Sequence, residues 1–279
     1  VNKTNIHSEN KKNIEANNKE NENTENYKNF ILENNDFFNQ VNLNDKNFWG
    51  NSINKKSYTL KKKNSAENLI KQVVAIKQKI VVLVKAKGGV GTTVLSMYLA
   101  NKFSDFKTLL VDMNFSEGGS DIGYYLEIPK SPNMLNFTEG YSRSSLNNSV
   151  VNINKNFDLL QAPPSYELSK KMDLQDIYSL VDVARKKYHI IIFDLPNHID
   201  EICLGVLDLA DIAVLVSDFS KGSIGRLTDI NRRFIYNDLE KILVLNRDKN
   251  GNKKIIKNYN LREVFNIKDI VSLNENPDL

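Results

Sequence analysis

The stretch from Ile80 to Phe103 constrains this chain more than any other. Ile80-Val81-Val82-Leu83-Val84 is an unbroken apolar run, the pattern of a strand buried on both faces. It leads into Lys85-Ala86-Lys87-Gly88-Gly89-Val90-Gly91-Thr92-Thr93, and then into Leu95, Tyr98, Leu99 and Phe103 at helical spacing. The glycines let the backbone wrap closely and turn successive N–H groups inward. The N-terminus of the helix adds partial positive charge. Strand, glycine loop and helix in this order make a cradle for phosphate.

The rest of the chain repeats the alternation. Further strands are expected at Thr108–Val111, ending at Asp112; at Phe157–Gln161, ending at Pro163-Pro164; at His189–Phe193, ending at Asp194; at Ile212–Val216; and at Ile242–Leu245. Between them, Leu174, Ile177, Leu180, Val181 and Ala184 recur at helical spacing, and helices are expected over Ile202–Leu209 and about 223–236. Strands alternating with helices predict a doubly wound α/β domain with a mainly parallel sheet of six or more strands, covered on both faces. Functional residues should gather at the carboxyl ends of the strands.

Composition sets the limits of that domain. The first fifty residues are about one-third Asn, with Lys and Glu in about a third of the remainder. Such a stretch buries too little apolar surface to offset the entropy of ordering it. Residues 1–64 therefore read as a disordered arm, 65–79 as a linker helix on Leu69, Ile70, Val73, Val74 and Ile76, and 80–279 as the folded domain, with a C-terminus that reads as cut short. No apolar run reaches the ~18 residues of a membrane span. The single Cys203 excludes an internal disulfide framework and suits a reducing, cytoplasmic setting. One Cys and three scattered His leave no zinc cluster, and a net charge of +4 does not by itself imply nucleic acid.

The loop departs from the common phosphate-binding pattern, which ends in Gly-Lys-Ser/Thr. Here it ends in Gly91-Thr92-Thr93, with Lys87 at the front. In this the chain resembles the deviant Walker A ATPases, the MinD/ParA superfamily, whose pattern is Lys-Gly-Gly-x-x-Lys-Ser/Thr. Lys87, Gly88, Gly89, Val90, Gly91 and Thr93 match it, and Thr92 stands where the family has its second lysine. The resemblance implies that Lys87 reaches the phosphates of a second subunit in an ATP-dependent homodimer, and that Thr93 holds Mg2+ through its hydroxyl. It implies that Asp112 is the first carboxylate of the switch segment, with Asn114 in place of the second, which orients the attacking water. Asp194 takes the Walker B role, supporting Mg2+ through water. Leu245-Asn246-Arg247 is similar to the family's adenine-contacting segment. With Thr92 and Asn114 replacing two charged groups, ATP should be held and hydrolysed slowly or not at all. Lys85, or Lys87 of a second subunit, remains to meet the phosphates.

Within the superfamily, Thr92 in the loop, Phe157 to Pro164, Asp194-Leu195-Pro196 and Leu207-Asp208-Leu209-Ala210-Asp211 resemble the CpaE/TadZ group, the localisation ATPases of Flp/Tad pilus systems. That likeness implies a switch that positions or assembles a pilus or secretion machine, at the cytoplasmic face of the membrane or the cell pole, with any membrane association made through partner proteins. Two other functions compete. A ParA-like partition ATPase would bind DNA through Lys221, Arg226, Arg232 and Arg233, a set that a solvated helix face explains equally well. A nucleotide-free adaptor would keep only the fold.

Overall fold

Continuous Val, Ile and Leu runs become the centre of one sheet because every residue in them meets apolar side chains on both faces. β3 (Lys79–Lys85), β4 (Thr108–Asp112), β7 (Ile190–Asp194) and β8 (Ile212–Asp218) are buried almost throughout. β6 (Phe157–Leu160), β9 (Glu240–Asp248) and β10 (Asp269–Asn274) extend the sheet on either side, and β5 (Val151–Asn154) closes one edge. The strand order is β10-β9-β8-β3-β7-β4-β6-β5, parallel throughout except where β5 runs antiparallel to β6. The computed structural model describes residues 25–26, 56–59, 72–75 and 78–274, less 104, 116–117, 235–238, 249–259 and 268.

Two apolar layers flank the sheet. One face carries Val81, Leu83, Leu110, Ile192 and Val214 and is covered by α1 (Thr92–Lys102), through Leu95 and Leu99, and by the short α2 (Asp121–Tyr125), through Ile122. The other carries Val82, Val84, Leu109, Val111, Phe193 and Leu215. It is covered by α3 (Met134–Thr138), α4 (Arg143–Ser149), α6 (Leu174–Ala184), α7 (Glu201–Asp208) and α8 (Lys221–Arg232). α5 (Tyr166–Ser169) and α9 (Leu261–Phe265) complete the described helices. No described helix is long and apolar enough to cross a membrane.

The expected doubly wound α/β architecture is present, with eight strands in the main sheet. The linker helix expected over 65–79 is not what the described residues of that stretch form. Gln72–Ala75 is a strand, β2, paired antiparallel with β1 (Lys56–Thr59), and Lys79 already belongs to β3. Adjacent β-branched Val73 and Val74 favour an extended chain once a second strand is at hand. The remainder of 65–77 lies outside the described residues. In the arm, the described residues are the helical pair Glu25–Asn26, whose Asn26 Nδ2 donates to Leu126 O at 3.0 Å, and β1.

The β5 edge is tied to the sheet by a buried polar knot. Asp158 Oδ2 accepts from Tyr188 Oη at 2.6 Å and lies 3.0 Å from Lys187 Nζ, while Asp158 Oδ1 accepts from Asn152 Nδ2 at 2.9 Å. Burial and the neighbouring Asp158 both push the Tyr188 phenol's ionisation up, so it remains a donor. Removing that donor leaves a buried carboxylate with one partner fewer. Tyr188→Phe is expected to lower the unfolding free energy by about 2 kcal/mol, the usual scale for a hydrogen bond to a charged group, as read from denaturant titration.

Candidate functional site

Parallel pairing sets the carboxyl ends of the central strands level. Leu83 lies opposite Asp194, and Asp112 lies opposite Asp194 on its other side. The loop Ala86–Gly91 leaves β3 at this end and returns as α1. Gly91, the N-cap residue of α1, has φ 87°, and a Cβ there would lie 2.6 Å from Asn246 Nδ2. Only glycine fits both demands. No side chain caps α1, so its first N–H groups face the loop without a protein partner of that kind. Gly88, Gly89, Val90 and Gly91 thus lie at the N-terminus of α1, where the phosphate cradle is expected.

Asp194 is buried beneath it. The Thr93 hydroxyl lies beside this carboxylate and favours its charged form, and Lys85 Nζ stands 3.6 Å from its Oδ1, which has no hydrogen-bond partner. Burial pushes the Asp194 pKa up; Lys85 and Thr93 pull it back, and Asp121 adds to the rise, leaving it raised. Thr92, where a lysine would be usual, is buried with its hydroxyl unpartnered. Asp112 accepts from Ser120 Oγ at 2.8 Å, Asn114 N at 3.0 Å and Ile122 N at 3.3 Å. Burial and the charge of Asp194 nonetheless push its pKa up to about 7. Asn114 donates its amide to Gly119 O, 3.3 Å away.

Lys87 points away from the cradle. Its Nζ is 2.5 Å from Asp218 Oδ2 at the end of β8. Burial acts upward on Asp218, but hydrogen bonds from Lys87 and Ser220 outweigh it and hold the pKa down at about 2. A cavity of about 430 Å3 opens beside this pair, lined by Lys87, Gly88, Asn197, Arg226, Asp229 and Arg233 among others. Asn246 is buried, donating to Val90 O at 2.8 Å and accepting from Arg247 N at 2.9 Å. The bond to Val90 O braces the loop, while Arg247, at φ 61°, is exposed.

The structure thus gathers Lys85, Lys87, the loop glycines, Thr92, Thr93, Asp112, Asn114, Asp194 and Asn246 at one end of the sheet. Sequence reasoning passed over Asp218, Ser120 and Asn197. Asp218 carried a signal, for it ends an apolar strand as Asp112 and Asp194 do. Ser120 and Asn197 sit in polar loops with no such mark.

An α/β sheet with a glycine loop between its central strand and a covering helix is the fold of the P-loop nucleoside triphosphatases. A family model described as an AAA domain matches residues 78–241, more than half of the chain, and the chain belongs to that family. Similar solved structures include a ParA family ATPase from Chlorobium tepidum TLS, with TM-score 0.62 and 22% identity over 72% of this chain and 86% of that one. The septum site-determining protein MinD from Pyrococcus horikoshii OT3, complexed with Mg-ADP, gives TM-score 0.58 and 18% identity over 72% and 82%. A putative plasmid partition protein from Borrelia burgdorferi B31, bound to AMPPNP, gives TM-score 0.55 and 23% identity over 72% and 87%. These likenesses establish a shared fold. No curated protein matches the chain.

The raised pKa of Asp112 makes stability depend on pH. A carboxyl that keeps its proton more tightly when folded adds stability below the unfolded-state pKa near 4, and that contribution is lost as pH rises through about 7. Thermal unfolding from pH 4 to 8 should show wild type losing stability relative to Asp112→Asn. Parallel profiles would contradict the burial and repulsion assigned to Asp112.

Proposed function

We propose that this chain is an ATP-binding switch that dimerises on ATP and turns it over slowly or not at all. The observation that carries this reading is the buried Asp194 with the half-buried Thr93 beside it, beneath an uncapped helix N-terminus and a glycine loop. Backbone N–H groups of Gly88 to Thr93 bind the phosphates, and the helix dipole adds to their attraction. The Thr93 hydroxyl and the unpartnered Asp194 Oδ1 are hard-oxygen donors of the kind Mg2+ takes, with Asp194 acting through water. Bound there, Mg2+ would neutralise phosphate charge.

Hydrolysis is where the residues are weakest. Thr92 brings no charge to the transferring phosphate. Asn114 orients a water without being able to act as its base, and its amide is already turned to Gly119 O. Losing one such transition-state donor typically costs on the order of 10²–10³ in rate. Phosphate release should be near background for wild type, little changed in Thr92→Lys or Asn114→Asp alone, and distinctly higher in the double variant. Brisk turnover by wild type would overturn this.

Lys87 is the group proposed to cross to a second subunit. In the single chain it is held by Asp218, so crossing exchanges one anion for another. Sedimentation with ATP and Mg2+ should show a dimer that Lys87→Ala weakens and Asp218→Asn strengthens. An undiminished dimer in Lys87→Ala would count against the crossing.

The machine served is proposed to be a Flp/Tad-type pilus or secretion system, on the CpaE/TadZ resemblance of Thr92, Phe157–Pro164 and Asp194-Leu195-Pro196. DNA partition is less well supported, because the basic set on and beside α8 is partly engaged. Arg232 pairs with Asp229 at 3.0 Å, and Arg233 Nη1 donates to Ile199 O at 2.6 Å. Filter binding to duplex DNA at two salt concentrations separates the two readings, since phosphate contacts predict a steep salt dependence.

A further inference from the structure

Thr92 leaves the cradle without the lysine that most phosphate loops place at the start of the helix. Its hydroxyl is short, buried and unpartnered, so it cannot stand in as a cation. A second lysine lies close by on a different element. Lys85 is the last residue of β3, and side chains alternate along a strand. Val81 and Leu83 pack in the layer under α1, so Lys85 projects to the same face as the helix that carries Thr92 and Thr93. Its side chain is 13% exposed and its ammonium stands 3.6 Å from Asp194 Oδ1.

That distance exceeds a normal hydrogen bond, and Asp194 Oδ1 has no hydrogen-bond partner. The ammonium and the carboxylate form an ion pair at a distance longer than a close hydrogen bond. It carries three donors on a flexible four-carbon stem. A partly buried lysine is costly to keep unless its charge is met. Here the charge is met by the residue whose other neighbour, Thr93, marks the proposed cation position.

We propose that Lys85 is the cation that binds the phosphates in the ground state of this chain, at the end of the strand rather than the start of the helix, without replacing the missing lysine's charge on the phosphate in transfer. Its ammonium exchanges Asp194 for the phosphates of a nucleoside di- or triphosphate while Mg2+ engages Asp194 and Thr93. The exchange leaves no buried charge unpaired at any stage, and it couples cation binding to phosphate binding through one carboxylate. This deepens the nucleotide reading given above and rests on it. The competing role for Lys85 is purely structural, a counter-ion for the buried carboxylates Asp194 and Asp112.

Calorimetric titration of the full chain with ATP and Mg2+ tests it, beside thermal unfolding without nucleotide. Lys85→Met should weaken ATP binding on the order of ten- to a hundredfold, the scale of a hydrogen bond to a charged group. Lys85→Met with Thr92→Lys should restore affinity, because the lysine returns to the helix start. Affinity unchanged in Lys85→Met, or unrescued in the double variant, overturns the proposal. Should Lys85→Met not fold, Thr92→Lys alone decides. With Lys85 already on the phosphates it should gain little, whereas a gain on the order of ten- to a hundredfold would show that no cation was there. Wild type that binds no nucleotide at all would remove the nucleotide reading itself, and this inference with it.

Discussion

The parallel ladder of β3, β7 and β4 is the constraint on which the functional end depends. Its register sets Leu83 and Asp112 on either side of Asp194, so two carboxylates from different strands come to one level beside the start of the glycine loop. Both are buried, and burial raises both pKa values. Carboxylates held this way need compensation, and the surroundings supply it: Lys85 and the Thr93 hydroxyl at Asp194, and Ser120 with two backbone N–H groups at Asp112. Asp194 thereby engages the end of β3 and the first turn of α1, and Asp112 engages Asn114 and the start of α2.

A second charged pair lies outside the cradle. Lys87, which lines the cavity, pairs with Asp218 at the end of β8, across β3 from the strand that carries Asp194. The two lysines of the loop thus have separate anions in the single chain, Lys85 with Asp194 and Lys87 with Asp218. A nucleotide reading of the site gives them separate duties, one to its own phosphates and one to those of a second subunit. Asn246 braces the loop between them by its bond to Val90 O.

The sequence made the central strands plain because Ile80–Val84, Thr108–Val111, Ile190–Phe193 and Ile212–Val216 are apolar without interruption, which only a sheet covered on both faces requires. The glycine loop and its strand-end aspartates were legible for the same reason, since the strand boundaries located them. The edge strand β5 was not, because Val-Asn-Ile-Asn has alternating polarity over four residues and no flanking apolar run. The short helices α2 to α5 depend on side-chain caps at Ser120, Asn133, Ser142 and Ser165 more than on apolar periodicity, so the periodic signal was missing. At 72–75 the spacing suited a helix, but Val73 and Val74 follow their β preference opposite β1. Contacts between distant residues, such as Lys87 with Asp218, leave no local trace in the chain.

The central claim is that Gly88 to Thr93 bind phosphate through their backbone N–H groups. Hydrogen exchange at these amides, with and without ATP and Mg2+, tests it most directly. The account predicts strong, saturable protection across residues 88–93 and little change at the β5 edge. Exchange at 88–93 that is the same with and without nucleotide would contradict it.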